Sequence, residues 1–148
     1  MDSRMRAVVT VAAVGVALLA SGRAVAGTGA LAGSLSRHAW GNAEEVPCTA
    51  ALNQGGIAEI ASVSCASAGN CSAGGLYRDS SGHRQALVVS QTGGTWHTAI
   101  EVPGSAALNQ GGNAGIPSAS CGSAGNCSAG GHYTDSSGHS QALVASET

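Results

Sequence analysis

Residues 40–92 align without a gap on residues 96–148, at a period of 56, and about two thirds of the aligned positions are identical. A period in this range marks a repeat architecture, in which fewer than three units seldom bury a stable core. The best matched blocks are Ala50-Ala51-Leu52-Asn53-Gln54-Gly55-Gly56 against 106–112, and Ser67-Ala68-Gly69-Asn70-Cys71-Ser72-Ala73-Gly74-Gly75 against 123–131. Asp79-Ser80-Ser81-Gly82-His83 returns as 135–139, and Gln85-Ala86-Leu87-Val88 as 141–144. Identity this high marks a recent duplication, so repetition alone does not single out functional residues.

Each unit reads as short strands separated by turns. Residues 60–65 alternate small polar with apolar side chains, and 71–78 form a second strand with Gly74-Gly75 where backbones approach closely. Asp79 and Gly82 are turn residues, the first bonding the backbone ahead and the second tolerating positive φ. Residues 85–91 give a third strand and, after Thr92-Gly93-Gly94, residues 95–102 a fourth. No stretch of about 11 residues carries a helical apolar period. The expected fold is all-β: two tandem four-stranded propeller-like blades, an incomplete propeller, with repeat 1 at 40–95 and repeat 2 at 96–148.

The N-terminus has a different character. Two arginines precede an apolar run at 7–20, and Ala24-Val25-Ala26 supplies an A-x-A cleavage site. That pattern describes a secretory signal peptide over 1–26, and the run is short for a membrane span of about 20 residues. Residues 27–39, rich in Gly and Ser, read as a flexible leader. The mature chain is then expected to be extracellular, with no membrane attachment after cleavage. It keeps three arginines against seven acids, a net charge of about −4. With no lysine and no basic face, nucleic-acid binding is excluded. The absence of Phe likewise excludes a large aromatic core, so Trp40, Trp96, Tyr77 and Tyr133 are expected to be buried.

Cys65 and Cys71 frame five residues, as do Cys121 and Cys127. Zinc-binding pairs favour two to four intervening residues, so each pair is expected to be a disulfide across a hairpin, formed in an oxidising compartment. Cys48 has no counterpart, because Gly104 occupies its place. It is a free thiol, a link to another chain, or a drifted small side chain.

The pattern Ser62-Val63-Ser64-Cys65, Cys71-Ser72-Ala73-Gly74, the turn from Asp79 to Gly82, and Gly94-Thr95-Trp96 resembles a repeat found in secreted actinobacterial proteins. The resemblance covers about 108 residues and implies β-propeller blades without an assigned activity. Gly74-Gly75 is similar to the kelch double glycine, but the Tyr expected before Trp is missing. The segment 90–96 is similar to an Asp-box, but one residue short and with Thr92 in place of Asp. Neither similarity carries over a catalytic residue.

The remaining chemistry is sparse. Asp, Ser and His lie within five residues at each turn, but turn formation already explains Asp and Gly, and neighbours in a loop seldom align as a triad. Asp79 and Asp135 stand one per repeat, which suits neither a glycosidase carboxyl pair nor an oxygen-rich calcium cage. No catalytic residue, metal site or cofactor is expected. Asn70-Cys71-Ser72 and Asn126-Cys127-Ser128 match a glycosylation sequon only by chance. Candidate ligand-binding residues are Asp79, His83, Asp135 and His139, on the rim of the blades.

The expected function is a secreted, non-enzymatic module that binds a glycan or a protein surface. Two alternatives remain: a truncated remnant of a larger secreted propeller enzyme of glycoside hydrolase type, and a structural or non-functional duplicate. Residues 40–46 read as a fourth strand with no blade of its own, complementary to the three strands of repeat 2. Two blades do not close a ring, so either the chain is a truncated piece or several copies assemble, three of them giving a six-bladed homotrimer.

Overall fold

The computed structural model describes residues 40–147; the expected signal peptide (1–26) and expected leader (27–39) lie outside the described residues. From residue 41 onward the chain forms one compact unit. It is built from two antiparallel sheets, each carrying a disulfide in its first hairpin.

In the first repeat β1 (Ala58–Ser67), β2 (Asn70–Arg78) and β3 (Arg84–Thr92) form a meander. The two-residue turn between β1 and β2 places Gly69 at φ 74°, a left-handed conformation that glycine reaches without steric cost. Asn70 closes this turn by donating to the Ser67 hydroxyl (3.0 Å), and Asn126 repeats the bond to Ser123 (3.0 Å). The sequon asparagines are therefore part of the hairpin. Cys65 faces Cys71 in the β1–β2 register and is bonded to it; Cys121 and Cys127 do the same between β6 (Gly115–Ser123) and β7 (Asn126–Thr134). The second sheet is completed by β8 (Ser140–Ser146).

The fourth strand of the first sheet is broken. Within residues 95–102 only β4 (Thr95–Trp96) and β5 (Ile100–Glu101) pair with β3. Between them the chain leaves the ladder, and the Ala99 amide donates to Pro47 O (2.9 Å). Residues 40–46, expected as a strand, have no ladder partner and are not one. An extended segment keeps strand geometry only where its backbone groups are paired. Among the described residues the second sheet correspondingly has three strands, with nothing paired on the outer edge of β8. Immediately before each Asn-Gln-Gly-Gly stretch lies a feature too short for a helical period, a single helical turn: α1 (Thr49–Leu52) and α2 (Ser105–Leu108). Each follows a left-handed residue, Cys48 at φ 65° and Gly104 at φ 83°. A side chain at such a φ costs roughly 1–2 kcal/mol, which the glycine of the second copy avoids.

Two apolar clusters hold the unit. Leu87 and Val89 point from one face of β3 into a cluster with Ala73, Tyr77 and Ala99, covered by Val46, Leu52 and Trp96. Ala86 and Val88, on the opposite face, enter a second cluster with Ile116, Leu143, Ala114 and Val102. This alternation buries β3 on both faces. Small side chains let the sheets approach closely: the Ile116 Cγ2 methyl occupies the space where a Cβ on Gly74 would sit. Of the four aromatics, Tyr77 is buried, Trp96 and Tyr133 are half-buried, and Trp40 is fully exposed, contrary to expectation. The exposure of Trp40 follows from the missing ladder at 40–46.

Candidate functional site

Asp79 and Asp135 begin equivalent turns, at the end of the sheets away from the disulfide hairpins. Asp79 Oδ1 accepts from the backbone amides of Ser81 (2.8 Å) and His83 (3.0 Å), and Oδ2 accepts from Gln85 Nε2 (2.7 Å). Asp135 repeats all three bonds with Ser137 (2.9 Å), His139 (2.9 Å) and Gln141 (2.9 Å). Gly82 and Gly138 complete the turns with φ of 83° and 81°. Each carboxylate is thus spent on its own loop, which it stiffens.

The glutamine bonds hold both aspartate carboxyls below the usual carboxylate range, helped by the backbone amides they accept. A carboxyl whose pKa is lower folded than unfolded adds stability above its unfolded value of about 3.9 and loses it as pH falls through the folded value. Thermal melting between pH 7 and 2 is expected to show stability falling below about pH 4. The Asp79→Asn/Asp135→Asn double variant is expected to melt earlier at pH 7 and to have a flatter acid limb. Parallel acid limbs for the two proteins would refute this role.

Both histidines are exposed. His83 lies over Gly112, and His139 Nδ1 stands 3.8 Å from Asp135 Oδ2. That surface pair is worth little. Among the described residues no hydrogen bond or ion pair joins the Asp79 turn directly to the Asp135 turn, so the four candidates form two separate rim positions. What couples the turns is a buried amide relay that the sequence reading missed. Asn109 Nδ2 donates to Gln85 Oε1 (2.9 Å) and Arg84 O (2.8 Å), and Asn109 Oδ1 accepts from the amides of Asn113 (2.8 Å) and Thr134 (3.4 Å). Repetition of Asn53/Asn109 and Gln85/Gln141 was the only signal available.

The other groups are structural. Tyr77 donates to Glu101 Oε2 (2.9 Å), and burial together with that carboxylate pushes its phenol far above the usual range. Cys48 is a free, exposed thiol. No group of three or more His, Cys, Asp or Glu among the described residues is placed to hold a metal ion. Between the sheets lies a cleft of about 190 Å³, lined by Val88, Ile100, Pro103 and Ala145 and bridged where Ser72 donates to Glu147 Oε2 (2.7 Å). It is smaller than the roughly 300 Å³ at which ligand pockets begin. No described helix is long and apolar enough to cross a membrane, and the two disulfides indicate an oxidising environment. No family model, curated protein or solved structure matches the chain.

Proposed function

We propose that this chain is a secreted, non-enzymatic β-repeat module that binds an extracellular glycan or protein surface through the loops at the Asp-turn end of its sheets. The observation that carries this reading is the pair of equivalent turns, each locked by an aspartate onto its own backbone and each setting a histidine at the rim. Recognition loops are characteristically held on a rigid scaffold. The disulfides fit the extracellular compartment to which residues 1–26 would direct the chain.

The test applies fluorescently labelled mature protein to an array of polysaccharides, peptidoglycan and immobilised extracellular proteins. Binding to at least one surface is expected, and the His83→Ala/His139→Ala variant is expected to weaken it about tenfold or more with its melting unchanged. Absence of binding to every surface would overturn the binding role. Release of reducing ends from a bound polysaccharide would overturn the non-enzymatic one.

A further inference from the structure

The contact between the two sheets uses one set of residues from each repeat, and each set has a second copy without a partner. Ile116 is 1% exposed and sits on Gly74; its counterpart Ile60 is 36% exposed, and the space above Gly130, the counterpart of Gly74, is empty to 4 Å. Val88 packs in the inter-sheet cluster, whereas Val144 is 84% exposed. Ser62 and Ser64 accept the amides of Ala119 (3.1 Å) and Cys121 (3.0 Å), while Ser118 and Ser120 make no such bond among the described residues.

The polar seam repeats the pattern. Asn109 reaches across to β3, but Asn53 makes no side-chain hydrogen bond among the described residues, and its carbonyl oxygen is buried without a partner. Glu101 accepts from Tyr77; its counterpart Glu45 is exposed, and the Tyr133 hydroxyl makes no hydrogen bond among the described residues. Residues 100–101 pair with β3, while among the described residues nothing pairs with the equivalent edge of β8. One end of the unit therefore carries Ile60, Asn53 and Glu45, and the other carries Gly130, Val144 and Tyr133. These are the residue types that already meet inside the chain.

From this self-complementarity we infer that a second copy of this chain docks head to tail, with Ile60 of one copy seated on Gly130 of the next. Residues 44–45 of the first copy then lie along β8 of the second, as 100–101 lie along β3. Such an interface is heterologous, so it closes into a ring when the rotation per copy allows. Two to four copies would supply the roughly four to eight sheets of closed propellers.

The experiment is light scattering on the size-fractionated, disulfide-bonded chain, with two variants. The wild type is expected to run as a discrete multiple of the protomer mass. Gly130→Val puts a side chain into the empty slot, where its Cβ meets no atom of its own chain within 4 Å, and Ile60→Asp charges the exposed knob. Each is expected to weaken association about 100-fold while leaving the circular dichroism unchanged. Mixed together, they should form a one-to-one dimer, because one keeps the knob and the other the slot. If Ile60→Asp fails to fold, Gly130→Val alone carries the test. A monomeric wild type at about 100 µM, an oligomer indifferent to Gly130→Val, or folded variants that stay monomeric when mixed would overturn the inference.

Discussion

Gly75→Ala and Gly131→Ala should each destabilise the fold severely. A Cβ on Gly75 would overlap the carbonyl oxygen of Glu59, and one on Gly131 would overlap that of Gly115. In both cases the obstacle is backbone of the neighbouring strand next to a β-bulge, so rotating a side chain gives no relief. The cost should exceed about 3 kcal/mol, a large share of the roughly 5–15 kcal/mol that stabilises a whole domain. Gly122→Ala is the control: its Cβ meets nothing closer than 4.0 Å and Ala66 stands at the equivalent place in the first repeat, so stability should hold within about 0.5 kcal/mol. Urea unfolding of the three variants checks the contrast. Equal midpoints for Gly131→Ala and Gly122→Ala would show that the close approach is not rigid.

Reduction should be almost as damaging. Each disulfide joins cysteines six residues apart, and closing so small a loop is worth about 2 kcal/mol in the chain-entropy model. Losing both should cost about 4–5 kcal/mol. Few large side chains are available to compensate: Leu87, Ile116 and Val102 are the largest apolar residues that are fully buried. The urea midpoint is therefore expected to drop sharply in dithiothreitol, and Cys65→Ala/Cys71→Ala to reproduce about half of the shift. Coincident unfolding curves with and without reductant would contradict the staple role.

The three long strands of each repeat, the Asp turns and both disulfides were legible because each rests on local signals. Those signals are alternation in β1, Asp and Gly at fixed places in the turns, and cysteines facing each other across a two-residue hairpin. What escaped depends on partners distant in the chain. Residues 95–102 look like one strand, yet Ala99 leaves the ladder to meet Pro47, which no window of sequence contains. Residues 40–46 look like a strand but have no sheet edge to pair with. The relay through Gln85 and Asn109 spans 24 residues and joins amide side chains that carry no charge to mark them. The candidate site was legible only as turns, since Asp79 and Asp135 serve the backbone so fully that their repetition needs no ligand to explain it.

The two-faced burial of β3 sets an order in which the chain comes apart. In a protomer outside the assembly β8 is covered on one face only, so its amides should open to solvent long before those of β3. A protease, which needs a detached extended segment, would enter through the second sheet and trim inward. The first sheet would be the surviving fragment, and a lone protomer would be lost from its second repeat first.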